Sequence, residues 1–182
     1  MSLRDSVISV LAEWDAPDHH QDTLRQAVLG FVLAREDACR RACEPGHITA
    51  SVAVLDPAGA ATLLTLHPRI GRWVQLGGHC EPEDTDIVAA ALREGVEESG
   101  IAGLRIEPEL AAIHVHALTC SLGVPTRHLD LQFVAYAPAG AGAEIAISDE
   151  SLDLRWWPVD ALPSGTDQAL AALVDRAVSR VR

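Results

Sequence analysis

The sequence predicts an α/β fold, a mixed β-sheet between helices, preceded by a helical extension. Three observations carry this expectation. Apolar runs of strand length lie on both sides of one central helical segment, an amphipathic helix closes the chain, and residues 1–44 carry helical periodicity and not alternation. The organisation expected is an N-terminal helical extension over 1–44 and one compact domain over 45–182.

Residues 4–43 read as mainly helical, broken at Ala16, Pro17 and Asp18. Trp14, Phe31 and the apolar set Val28, Leu29 and Val32 suit packing onto the core or a second subunit, so a homodimer stays open; a cap over the pocket is the third role. Glu44, Pro45 and Gly46 separate this region from a strand over 48–55, which turns at Pro57, Ala58 and Gly59 into a hairpin partner over 61–66. A short strand over 72–76 runs into Gly77 and Gly78, where two residues without Cβ permit a turn and a close approach to a ligand. A helix over 84–99 follows, with Asp84 or Thr85 as its cap and Gly100 as its stop. Strands over 104–118, 129–137 and 152–157 come next, with a turn at 138–142. A helix over 166–181 ends the chain, with Ala169, Leu170, Leu173, Val174 and Ala177 on its apolar stripe.

Composition narrows the function. A formal net charge of −12 argues against a broad nucleic-acid-binding surface, because phosphate backbones reward clustered positive charge. The chain is expected to be soluble and cytoplasmic, with no membrane partner, since it has neither a bilayer-length apolar run nor a basic, apolar leader. Its 48% hydrophobic content suffices for a sizeable core. The basic residues are all arginine, lysine and asparagine are absent and alanine abounds, a bias that suggests a GC-rich bacterial genome.

The chemistry concentrates between Gly77 and Ile101. On a helical wheel Val88, Ala91, Leu92, Gly95, Val96 and Ser99 form the face expected to be buried, and Glu94, Glu97 and Glu98 stack at i, i+3 and i+4 on another. Two carboxylates ~6 Å apart repel by roughly 3 kcal/mol at an effective dielectric of ~20, so a positive charge is expected among them. A hard divalent cation, Mg²⁺ or Mn²⁺, takes oxygen ligands and shares substrate phosphate oxygens. The alternative is an acidic helix facing water, and the glycine pair ahead of the helix weighs against it.

These residues resemble the signature of the Nudix hydrolases, G-x5-E-x7-R-E-U-x-E-E-x-G-U with U aliphatic. Gly78, Arg93, Glu94, Glu97, Glu98, Gly100 and Ile101 fall on family positions, and Glu81 matches a further common glutamate. Asp84 takes the place of a glutamate with eight residues, not seven, before Arg93, and Gly95 replaces an aliphatic residue. Gly95 lies on the expected buried stripe, where it marks a close approach of helix and sheet at a helix cost of about 1 kcal/mol relative to Ala. The similarity extends over His47 to Asp160, through Thr49-Ala50-Ser51, Gly71-Arg72-Trp73 and Trp156-Trp157-Pro158-Val159.

The resemblance implies an αβα sandwich and attack of a metal-activated water on the diphosphate of a nucleoside diphosphate linked to another moiety. It implies Glu94, Glu97 and Glu98 as ligands of Mg²⁺ or Mn²⁺, with a carbonyl of Gly77 or Gly78, and Arg93 as a structural partner of the acidic residues. The general base stays open among Glu94, Glu98 and, on a distant loop, Glu150. Arg69 and Arg72 are candidate phosphate contacts, and Trp73 and His79 candidate substrate contacts. Two other readings of the chain remain: a catalytically silent nucleotide sensor of the same fold, and an isopentenyl diphosphate isomerase, whose cysteine motif with flanking asparagine and histidine is missing here.

Cysteines 39, 43, 80 and 120 form no CxxC pair, and Cys39 and Cys43, one turn apart in an expected helix, are read as free thiols. His114 and His116 share one side of a strand, as do His128 and Asp130 on the next. With His79 and Cys80 they form either a second metal site or, the default, pocket lining and satisfied sheet histidines.

Overall fold

The structure is a computed structural model, and it describes residues 1–119, 123–139, 144–148 and 151–181. Among the described residues eight strands form one sheet: β1 (His47–Leu55), β2 (Ala61–His67), β3 (Arg72–Val74), β4 (Leu76–His79), β5 (Arg105–Ile106), β6 (Ala112–Thr119), β7 (Pro125–Tyr136) and β8 (Leu154–Pro158). Four helices accompany it: α1 (Leu3–Glu13), α2 (His19–Ala34), α3 (Ile87–Ser99) and α4 (Gln168–Ser179).

The spine of the sheet is a parallel pairing of β1 with β7 that matches nine successive residues, from His47 opposite His128 to Leu55 opposite Tyr136. All other pairings are antiparallel, which makes the sheet mixed. One edge of β1 is shared, with β2 along its end at Val54 and Leu55 and β4 along Thr49 to Val52. The sheet opens where the chain passes from one partner to the other.

Alternation along β1 and β7 sends side chains to two layers. Ile48, Ala50, Leu129, Leu131 and Phe133 pack with α1, α2 and α3, while Ala53, Leu55 and Val134 meet Leu173 and Ala177 of α4. The arrangement is the expected αβα sandwich. Near the start of β1 and β7 the residues facing this second layer are polar: His47, Thr49, Ser51, His128, Asp130 and Gln132.

The N-terminal region packs onto the core. Leu3, Val7, Leu11, Trp14, Val28 and Val32 join the cluster that contains Ile87, Ala90 and Phe133. Two polar contacts fix it: Ser6 Oγ accepts the Ile87 N–H at 3.1 Å and donates to Asp86 at 3.0 Å, and the Gln21 amide exchanges hydrogen bonds with the N–H and C=O of Ile113 at 2.7 and 3.2 Å.

Several boundaries differ from the sequence expectation. Helix α3 starts at Ile87 with Asp86 as its cap, and Asp84 stays in the loop. The expected strand over 104–118 is two strands, because the chain leaves the sheet after Ile106 and returns at Ala112. The expected strand over 72–76 breaks at Gln75, its two halves pairing with β2 and β1. Helix α2 ends at Ala34, so Cys39 and Cys43 sit in turns and not in a helix; both are free, as is Cys80. Cys120, and part of the turn expected at 138–142, lie outside the described residues. No helix among the described residues is long and apolar enough to cross a membrane.

Candidate active site

A cleft opens along β4, with the glycine pair on its floor and α3 on one wall. Its lining includes Gly77, Gly78, His79, Arg93, Glu94, Glu97, Glu98, Asp130 and Arg69. Gly77 and Gly78 are not a turn: they are strand residues, paired with Ser51 and Ala50. What excludes a side chain is crowding. A Cβ on Gly77, whose φ is +149°, would strike Ser51 and come within 2.6 Å of the Ala50 carbonyl oxygen. A Cβ on Gly78 would lie 2.7 Å from Glu94 Oε2.

The helix places its acidic residues against that bare backbone. Glu94 and Glu98 are 8% and 9% exposed, and Glu97 faces solvent. The wheel had set all three on a face apart from the buried one. In the structure Glu94 and Glu98 are buried along with Ile87, Ala90, Ala91, Gly95 and Ser99, whereas Val88, Leu92 and Val96 are half-buried. The helix can lean in this way because Gly95 has no side chain; a Cβ there would meet Val52 at 2.8 Å. The close approach of helix and sheet expected at Gly95 is therefore present.

Each buried carboxylate has a partner. The Gly77 N–H donates to Glu98 Oε2 at 2.8 Å. Arg93 donates through Nη1 to Glu94 and Glu97, both at 3.0 Å, and through Nη2 to Asp84 at 3.0 Å and to the His79 carbonyl at 3.2 Å. Glu81 is farther, 4.0 Å from Arg93. Burial opposes the charge of Arg93, yet its bonds to Asp84 and the field of Glu94 outweigh that cost and raise its pKa further. Burial likewise pulls the Asp84 carboxyl up, and the Arg93 and Glu81 bonds more than offset it, so Asp84 lies below its ordinary value. The extra residue before Arg93 is taken up in the loop, where Asp84 accepts the Glu81 N–H at 2.8 Å and still reaches the arginine.

The structure separates the remaining candidates. Arg69 is exposed on the rim of the cleft, and His79 lines it. Arg72 and Trp73 are not in its lining; Trp73 packs edge-on against Trp157 at 5.2 Å, with Arg155 5.7 Å above it. Glu150 lies outside the described residues. Sequence reasoning missed Arg40 and Arg41, which line the cleft from the turn after α2, and His47, whose only signal was its place opposite His128 once β1 and β7 are paired.

Asp130 is buried and accepts from Thr49 at 2.9 Å, Ser51 at 2.6 Å and Gln132 at 3.0 Å. Of the histidines around it, His79, His116 and His128 line the cleft, the default reading of the sequence. His47 Nε2, His116 Nδ1 and His128 Nε2 are buried with no hydrogen-bond partner among the described residues. Burial lowers the pKa of His47, takes that of His79 down to about 4 and that of His128 to about 3, with neighbouring positive charge adding to the last two. Burial also lowers His116, against the opposing pull of Asp130.

A buried carboxylate pair on a helix, braced by arginine beside a glycine strand, makes this cleft the candidate active site. The family model for the NUDIX domain matches residues 45–177. The chain belongs to the Nudix hydrolase family.

Solved structures agree on the fold. An Ap4A hydrolase from C. elegans, in a binary complex, is 20% identical, covers 72% of this chain and 95% of its own, and has a TM-score of 0.56. A Nudix family hydrolase from Clostridium perfringens is 20% identical over 75% of this chain and 98% of its own, with a TM-score of 0.57. A MutT Nudix hydrolase from Burkholderia pseudomallei is 24% identical over 72% and 97%, with a TM-score of 0.51. No curated protein matches the chain in sequence.

Proposed function

We propose that the protein hydrolyses a diphosphate linkage in a nucleoside diphosphate joined to a further group, using Mg²⁺ or Mn²⁺. The observation that carries this reading is the pair of buried carboxylates, Glu94 and Glu98, set against Gly78 and the Gly77 N–H with Glu97 at the mouth. The residues fit a hard cation: all three side chains offer oxygen, and the missing Cβ at Gly78 lets the Glu94 carboxylate lie directly against the β4 backbone. Glu94, Glu97 and Glu98 would hold the ion, with a glycine carbonyl of β4. When bound, it supplies Lewis-acid stabilisation of the diphosphate and lowers the pKa of a water.

The chain's own groups do the rest. Arg93 fixes the side chains of Glu94, Glu97 and Asp84 before any ligand arrives, so little reorganisation is needed at the moment of reaction. Arg69 and Arg41, which both line the cleft, would meet the substrate's negative charge. Glu94, Glu98 or Glu150 accepts the proton of the attacking water, and a pH–rate profile of each Gln variant separates them.

The test is a panel of nucleoside diphosphate derivatives with Mg²⁺ or Mn²⁺, reading phosphate or nucleotide release beside Glu97→Gln and Glu98→Gln. Wild type is expected to cleave at least one compound, and both variants to lose about 100-fold or more in kcat. Binding without turnover under either metal would replace this reading with the nucleotide sensor.

A further inference from the structure

Four imidazoles stand in a row across the sheet. His47 of β1 lies opposite His128 of β7, His128 lies opposite His116 of β6, and His79 of β4 lies opposite Thr49, two residues along from His47. The rings of His47, His79 and His128 form a triangle with centroid separations of 5.1, 5.0 and 4.8 Å. One nitrogen from each of the three lies within 4.8 Å of the others.

Such a row is costly unless something uses it. A buried ring nitrogen without a partner loses its hydration with nothing in return, and two of these three rings carry one among the described residues. His47 is 1% exposed, and its Nδ1 faces the Cys43 carbonyl at 3.3 Å. A carbonyl can only accept, so the proton resides on Nδ1 and the lone pair on Nε2, the nitrogen without a partner. A ring N–H fixed by a backbone carbonyl is the usual outer contact of a metal-binding histidine.

The geometry points to a metal site in which His47, His79 and His128 bind a divalent transition ion of the zinc, cobalt or nickel class, with its fourth position open to the cleft. Imidazole nitrogen selects these ions over Mg²⁺, and three ligands plus an open position is a common arrangement for them. The nitrogens of a tetrahedral zinc with bonds of ~2.1 Å stand ~3.4 Å apart, so binding draws the three rings together. Neighbouring groups do not compete: Asp130 is held by Thr49, Ser51 and Gln132, and Cys80 is packed among apolar side chains. Of the histidines grouped with Cys80 and Asp130 from the sequence, His79 and His128 belong to this site, and His47 joins them. The assignment stands whether or not the carboxylates hydrolyse a diphosphate.

The experiment uses the full chain, stripped with chelator and titrated with Co²⁺, whose tetrahedral complexes absorb strongly in the visible. One equivalent is expected to give that band. His47→Gln and His128→Gln are expected to weaken binding by at least ~50-fold, while Glu98→Gln keeps the band, which separates this site from the proposed Mg²⁺ site. Because a variant can lose its fold, the imidazole ¹⁵N resonances of the wild type are followed as one equivalent of Zn²⁺ is added. Shifts at His47, His79 and His128 support the site. Shifts confined to the exposed His19 and His20, or no tetrahedral band, overturn it.

Discussion

At the α3 end of the cleft, Glu98 receives the Gly77 N–H and Glu94 and Glu97 receive the Arg93 guanidinium, whereas at the start of β1 and β7 three histidines keep ring nitrogens that no donor or acceptor meets. The difference follows from charge. A buried carboxylate without compensation is too costly to hold, so its partners must be built into the fold before a ligand comes. A neutral imidazole costs far less and can wait with its lone pair bare.

The largest expected effect attacks the backbone on which the first region leans. Gly77→Ala sets a Cβ against Ser51 and the Ala50 carbonyl at a φ of +149°, so a loss of about 3–5 kcal/mol is expected in urea denaturation. Gly78→Ala is the sharper companion: the atoms nearest its Cβ are those of the Glu94 carboxylate, so the expected outcome is a folded protein with a much reduced kcat. Equal destabilisation by both variants would break the distinction between strand pairing and site.

Arg93→Met comes next. It leaves Asp84 and Glu94 without their cation in a partly exposed place, and a loss of about 1–3 kcal/mol is expected by the same measurement. An unchanged midpoint would show that the carboxylates do not need compensation in advance.

The histidine end answers to acid. His79 and His128 have folded pKa values of about 4 and about 3, below the ordinary value of about 6.5, so between those limits the unfolded chain binds more protons than the folded one. The contribution is fully present above about pH 6.5 and is lost as pH falls towards the folded values. In chelator-treated protein the Tm is expected to drop from pH 7 to pH 5, and to drop less in His128→Gln. The smallest effect is expected of Ser6→Ala, about 1 kcal/mol, since Ser6 accepts one N–H at the start of α3.

Much of this was readable in the sequence. The box spacing located the acidic helix, and the periods of the strands and of α4 gave the layers. The misreadings have physical causes. Asp84 is an ordinary helix cap by residue type, and only the position of Arg93 shows why it stays outside the helix. A wheel ranks faces by hydrophobicity and so sets Glu94 and Glu98 apart from the buried face, because the Gly77 N–H that donates to Glu98 belongs to a strand more than twenty residues away in sequence. Trp73, a candidate substrate contact by sequence, is claimed by Trp157 across β2. His47 gains meaning only from the parallel register, which no local pattern encodes.

The Gln21 amide against Ile113 has a consequence for how the chain is handled. By taking both the N–H and the C=O of one residue on the outer side of β6, the side chain acts as a one-residue surrogate strand and blunts that border against recruitment by another molecule. A fragment trimmed to begin near residue 45 would leave this border bare and strip the apolar floor from beneath Leu131 and Phe133. Self-association, and not a tidy smaller enzyme, is the expected product of that truncation.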